Sequence, residues 1–292
     1  MNKIGICFSS KDFTIMPFIE LKNYLLSLKK AGITSLDFYT ELFLDVTPKI
    51  GELAKFIIEN DIKITFHYYS SININSIENE NDYDKFLDVC VKELSIVRKN
   101  LEELNINYQT SIVFHAFDYT DEIGKYSHEK ELIRIFSTLC EYGLKLKFEI
   151  LLETLSYNHP TGKHIGDDIS EIETFINRIN YDDFGICWDI GHTRLNNIER
   201  KTNLYLPSNI MNKVKFIHVH NIELKANQKN YVDHLPLASL QLQDDELEYL
   251  VRNGYEGIYS IETPTENLRD KIDVYIECIK KLKIFLENIK ED

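Results

Sequence analysis

The sequence predicts an α/β protein, a single-domain (β/α)8 barrel spanning residues 1–292. Eight short runs rich in Ile, Val, Phe and Tyr recur along the chain, and most are separated by intervals long enough for an amphipathic helix. That alternation is the pattern of a parallel sheet covered by helices, and eight strands is the number that closes such a sheet into a barrel. The residues able to do chemistry also collect at the C-terminal ends of these runs, where a barrel of this kind keeps its site.

The strands are expected at Lys3–Phe8, Ser35–Tyr39, Lys63–His67, Ser111–His115, Phe148–Glu153, Gly185–Asp189, Phe216–His220 and Tyr259–Glu262. Helices fit 17–30, 50–60, 84–104, 129–144, 170–179, 204–212, 243–253 and 266–288. Within 84–104, Phe86, Cys90, Leu94, Val97 and Leu101 fall at near-helical spacing, and Tyr275, Cys278, Ile279 and Leu282 do the same in the last segment. Gly32, Gly143 and Gly254 read as C-terminal caps. The polar stretch Asn73–Asp82 reads as a loop, Gly191 as part of a turn after Asp189, and Asn221–Asp244 as a long functional loop.

Composition excludes several classes. Apolar residues make up 43% of the chain but lie in short runs, none near the roughly 18–20 residues of a membrane span. No signal-peptide pattern precedes the first strand, so a cytoplasmic location is expected. Cys7, Cys90, Cys140, Cys187 and Cys278 are scattered, odd in number and mostly set in apolar runs, as reduced core residues are. A formal charge of −14 disfavours binding to nucleic acid, which relies on many Lys and Arg releasing counterions from phosphates.

Six of the nine histidines, His67, His115, His192, His218, His220 and His234, fall at strand ends or in the long loop. Random placement would scatter them over helices and both strand ends, and core packing does not account for the pattern. The run Gly185–His192 ends in Asp189 and His192, two ligand-type residues three apart, able to face one pocket or merely to cap a turn. Strand alternation places His218 and His220 on one face, with His220 nearer the top and His218 a deeper layer, read as a core histidine. Glu153, Asp189, His220 and Glu262 then form a set of three carboxylates and one imidazole. Without a cation these carboxylates would repel one another, and their mixed O/N chemistry suits Mn²⁺, Zn²⁺, Co²⁺ or Mg²⁺. The bland alternative is that each acid caps a helix or pairs with a lysine.

Taken in order, several motifs resemble the xylose isomerase-like TIM barrels, a family of sugar isomerases, ketose epimerases and endonuclease IV. They are the run from His67 to Asn75, Leu-Leu-Glu-Thr around Glu153, Trp-Asp-Ile-Gly-His ending at His192, His-Val-His-Asn from His218, Asp-His-Leu-Pro-Leu from Asp233, and Ser-Ile-Glu-Thr around Glu262. The resemblance implies that Glu153, Asp189, His220 and Glu262 hold a divalent metal and that His192 touches substrate or a second metal. His67, His115, Asp233 and His234 match additional ligands of the endonuclease. Its Asp and His are separated by a residue, whereas Asp233 and His234 are adjacent, and Ala238 and Ser239 replace a Gly-Glu-Gly.

Three functions follow as expectations. The first is a metal-dependent isomerase or epimerase of a sugar, sugar phosphate or related hydroxy-carbonyl compound, working through an enediolate. Glu153 and Glu262 are then the acid/base pair, His192 a catalytic group that orients a hydroxyl, and His67, His115, His192 and Arg194 contacts to a carbohydrate-like small molecule. Lys225 and Lys229 are further candidates for an anionic group, and Ala226 replaces an arginine usual in ketohexose epimerases. The second is an endonuclease IV-like phosphodiesterase on abasic DNA, and the third a non-catalytic barrel used for binding. A dehydratase could share the same site. Homo-oligomers are common among such relatives. Tyr68, Tyr69, Phe117, Tyr119 and Tyr157 follow strand ends and suit either a pocket wall or rim packing.

Overall fold

The computed structural model describes residues 3–68, 80–116, 118–119, 122–156, 163–164, 166–179, 181–224, 231–237, 244–263 and 268–291. In chain order the elements begin with β1 (Lys3–Phe8), α1 (Ser10–Ile15), α2 (Phe18–Ala31), β2 (Ser35–Tyr39), α3 (Pro48–Glu59), β3 (Lys63–His67) and α4 (Glu80–Glu103). They continue with β4 (Thr110–Phe114), β5 (Asp118–Tyr119), α5 (Glu122–Leu146), β6 (Phe148–Glu153), β7 (Lys163–His164), α6 (Ile169–Ile179), β8 (Phe184–Asp189) and α7 (Ile190–Arg200). The last are β9 (Val214–Val219), β10 (Asn221–Leu224), β11 (Tyr231–Leu235), α8 (Asp244–Arg252), β12 (Ile258–Ile261) and α9 (Leu268–Glu291).

Eight of the strands close a parallel barrel in the order β1-β12-β9-β8-β6-β4-β3-β2, and each lies within two residues of the run that predicts it. Their alternation explains how the barrel divides. On β1, Ile4, Ile6 and Phe8 point outward into the large core beneath the helices, as do Leu36, Phe38, Ile64, Phe66, Ile150, Leu152, Trp188, Ile217 and Ile261 on their strands. The intervening positions point inward. Val113, Leu151, Cys187 and Phe216, with Ile258 against them, form a separate apolar plug inside the barrel. Two residues further along each of these strands, the inward positions are His115, Glu153, Asp189 and His218, so the plug is the floor of a polar chamber at the C-terminal mouth. A register irregularity between Ile186 and Cys187 opposite Val214 and Phe216 sets the depth at which β9 enters that chamber.

Gly32 (φ 120°) ends α2 and Gly254 (φ 76°) follows α8, both in backbone that favours glycine, as expected of caps. Gly143 is not a cap. It lies inside α5, where an added Cβ would sit 2.7 Å from the Phe148 carbonyl, and Lys147 (φ 56°) turns the chain instead. The expected turn after Asp189 is the start of α7, and the helix expected at 204–212 is only a 3-10 turn at Ser208–Lys213. The long loop after β9 contains an antiparallel pair, β10 with β11. A second pair, β5 with β7, lies in the segments after β4 and β6. Of the stretch read as a polar loop, 80–82 opens α4 and 73–79 lies outside the described residues. All five cysteines are buried and free of disulfides, and no helix among the described residues is long and apolar enough to cross a membrane.

Candidate metal centre

Glu153 ends β6 and is 1% exposed, enclosed by imidazoles. Its Oε2 lies 3.1 Å from His67 Nε2 and 3.2 Å from His115 Nε2, and those two ring nitrogens are 2.9 Å apart. Its Oε1 lies 3.2 Å from His218 Nδ1. The same His218 nitrogen is 3.0 Å from Glu262 Oε2 and 3.9 Å from Asp189 Oδ2. Glu153, Asp189, His218 and Glu262 therefore offer ligand atoms all within 4.8 Å of one another, and His67 joins Glu153 and His218 in an overlapping group.

A second cluster shares Asp189. This residue caps α7, its Oδ1 accepting the His192 backbone N–H at 2.7 Å, while its backbone N–H donates to Thr154 Oγ1 at 2.9 Å. The cap fixes both Asp189 and His192. His220, just past β9, brings Nε2 to 3.0 Å from Asp189 Oδ1. The β10–β11 pair carries Asp233 and His234 back over it. His234 adopts a left-handed backbone (φ 53°), uncommon for a residue with a side chain, and from there its N–H donates to His220 Nδ1 at 2.9 Å while its ring stacks on His220 at 4.4 Å. Asp189, His192, His220 and His234 again converge within 4.8 Å, and Asp233 stands 3.0 Å from His234 Nδ1 and 4.0 Å from His192 Nε2.

The clusters are electrostatically coupled. Burial alone would raise the carboxyl of Glu153, but the facing His218, His115 and His67 hold it well below the usual range, and His218 and His234 do the same for Glu262. Burial would lower His67 and His218, yet Glu153 and Glu262 outweigh it for His67, and Cys187, Glu262 and Glu153 do so for His218. His234 is pushed up to about 11, chiefly by Glu262 and Asp233 against the cost of burial. His192 is lowered, because burial dominates its surroundings.

The sequence-predicted residues thus meet at one chamber, with two differences of arrangement. His218, expected as a deeper core histidine, stands between Glu153 and Glu262, whereas His220 stands beside Asp189 in the second cluster. Arg194 is engaged elsewhere, its Nη1 paired with Glu246 of α8 at 3.1 Å. Tyr68 packs at the rim, stacked on Phe114 with its hydroxyl donating to Glu93 at 2.6 Å. The Tyr119 side chain and residues 69, 117, 157, 225, 226, 229, 238 and 239 lie outside what the structure describes. Sequence reasoning missed Asp37, a buried acid in the middle of β2 between Leu36 and Phe38; an acid inside an apolar strand was the available signal.

Fold and site together define a (β/α)8 barrel with a carboxylate–imidazole centre at its C-terminal mouth. The chain belongs to the xylose isomerase-like TIM barrel family, which its residues 25–284 match. Among solved structures it is similar to L-ribulose 3-epimerase, with 15% identity, TM-score 0.69, and coverage of 100% of this chain and 96% of that one. It is also similar to D-psicose 3-epimerase from Clostridium cellulolyticum H10 (14%, TM-score 0.66, 98% and 99%) and to 3-keto-D-glucoside 4-epimerase from E. coli (15%, TM-score 0.68, 97% and 100%). At such identity the likeness is one of fold. No curated protein sequence is matched.

Proposed function

We propose that this protein is a divalent-metal-dependent isomerase or epimerase acting on a sugar or a related hydroxy-carbonyl compound. The observation that carries the reading is Glu153 and Glu262 converging on His218 Nδ1 at 3.2 and 3.0 Å, two ionised carboxylates flanking one point inside a buried chamber. The donor set fits a cation. Glu153 Oε2 and Glu262 Oε2 are buried without a well-directed hydrogen bond although imidazole nitrogens stand about them, an arrangement in which groups aim at a common centre rather than at each other. Glu153, Asp189, His218 and Glu262 would hold the ion, with His67 of the overlapping group beside them and His220 taking part through Asp189. Bound there, a divalent cation polarises adjacent substrate oxygens and makes the neighbouring carbon-bound proton more acidic. One of the two glutamates takes that proton, the C–H electron pair moving into the carbon framework and the carbonyl π pair onto oxygen. The other, once it has taken up a proton from solvent, returns it to carbon as the carbonyl re-forms, and delivery on the opposite face inverts the centre. His192, fixed by the Asp189 cap, orients a hydroxyl.

The test joins elemental analysis of protein purified without an affinity metal to incubation of ketoses and 3-keto-glycosides in D₂O. Cation bound to the chain and solvent deuterium at the exchanged carbon are expected. A chain that takes up no cation, or a panel with no exchange, overturns the proposal. One observation favours a second reading, a phosphodiesterase with several metals: His67, His115, Asp233 and His234 all reach the same chamber. Incision of an abasic duplex together with more than one cation per chain would select it.

Protons and a cation compete for the imidazoles of this centre. The facing carboxylates hold His67, His218 and His234 above the ordinary imidazole value, so a cation competes with protons for these rings. Cation binding is therefore expected to release protons and to tighten as pH rises. Titration calorimetry in buffers of different ionisation enthalpy reads the number directly; heats independent of buffer would contradict it.

A further inference from the structure

Beneath the centre, Asp37 reaches up from β2 and is fully buried. Its Oδ1 accepts the Thr65 hydroxyl at 3.1 Å, and its Oδ2 accepts the Cys7 thiol at 3.4 Å. That second oxygen also lies 3.6 Å from His218 Nε2 and 4.0 Å from His67 Nδ1. Both nitrogens are buried and lack a well-directed hydrogen-bond partner among the described residues, so Asp37 is the anion they face. The opposite nitrogens of the same rings are those directed at the centre: His218 Nδ1 toward Glu153 and Glu262, and His67 Nε2 toward Glu153. The two rings stack nearly parallel, 15° apart with centroids 5.3 Å from each other, and so span the gap between Asp37 below and the glutamates above.

A neutral imidazole has one N–H and one lone pair. An acceptor at the lower nitrogen places the proton there and leaves the lone pair at the upper one. We propose that Asp37 is a positioning residue that sets the tautomer and ring orientation of His218, and with it His67, so that both present lone pairs to the cation. The inference rests on the metal-dependent reading above. Thr65 fixes the carboxylate, and Cys7 competes with the histidines for Oδ2, so the two neighbours should act in opposite directions.

The experiment uses Co²⁺ as the probe on the metal-free full chain, with affinity measured against a chelator, the visible spectrum recorded and folding checked by circular dichroism. Asp37→Asn is expected to weaken Co²⁺ about 10–100-fold and to alter the visible bands. Thr65→Val, which keeps the shape of the side chain and frees only Oδ1, should weaken it by a smaller factor and guards against an Asp37→Asn protein that does not fold. Cys7→Ala should bind Co²⁺ at least as tightly as the unaltered chain. Asp37→Asn and Thr65→Val proteins that bind Co²⁺ as the unaltered chain does, with the same spectrum, overturn the positioning role and leave the metal reading standing. Loss of Co²⁺ in Cys7→Ala also overturns it, because Cys7 and Asp37 would then be ligands themselves. An unaltered chain that binds no Co²⁺, Mn²⁺ or Zn²⁺ fails the metal reading first, and the inference with it.

Discussion

Changing Glu153 to glutamine is expected to remove cation binding and catalysis together. The glutamine keeps the volume of the side chain but offers a neutral amide where four imidazoles, those of His67, His115, His218 and His192, stand within 3.8 Å of the carboxylate. The variant forfeits a ligand charge and a proton carrier at once. Loss of a positioned acid/base group alone costs about 10²–10⁴-fold in rate, so activity should fall by at least that factor, with kcat bearing more of the loss than KM. Metal content per chain should drop in the same preparation while the far-ultraviolet spectrum stays that of a folded barrel. Full metal content with unchanged hydrogen exchange at the substrate carbon would remove Glu153 from the centre. Glu262→Gln is the informative companion. Should it keep the cation but lose exchange, the two glutamates divide the roles of ligand and proton carrier.

The inward position of Glu153, Asp189 and Glu262 was legible because a strand alternates with a period of two, and an acid ending an apolar run must point into the mouth when its neighbours pack outward. The same rule put His218 and His220 on one face but could not say which meets the glutamates. Their depth depends on the irregularity opposite Val214 and Phe216, a feature of pairing between strands that one strand's sequence does not carry. Asp37 escaped notice for a related reason: attention to strand ends passes over an acid one layer lower, although Leu36 and Phe38 on either side announce a buried strand. The start of α7 was hidden by Gly191, which reads as a turn residue. The structure supplies another reason for glycine there, the closeness of a histidine ring.

Gly191→Ala should therefore damage the site although it improves the helix. Gly191 lies in the first turn of α7, and a Cβ built on it would stand 2.5 Å from His220 Nε2 and 2.6 Å from Nδ1. Alanine favours a helix over glycine by roughly 0.5–1 kcal/mol. Overpacking of a filled interior costs typically about 1–3 kcal/mol, and the ring here cannot step aside freely. Its Nε2 is held at Asp189 (3.0 Å) and its Nδ1 by the His234 N–H (2.9 Å), so movement breaks one contact or both. The steric term wins. The variant should fold with a Tm several degrees lower and bind cation about tenfold or more weakly, through the displaced His220. The cause is separable from ordinary destabilisation by a second change: in Gly191→Ala/His220→Ala the collision is gone, so the double variant should be more stable than His220→Ala and Gly191→Ala effects added together would give. Additive losses, or a Gly191→Ala protein with raised Tm and undiminished metal, would show that the ring has room to move and that this glycine is there for another reason.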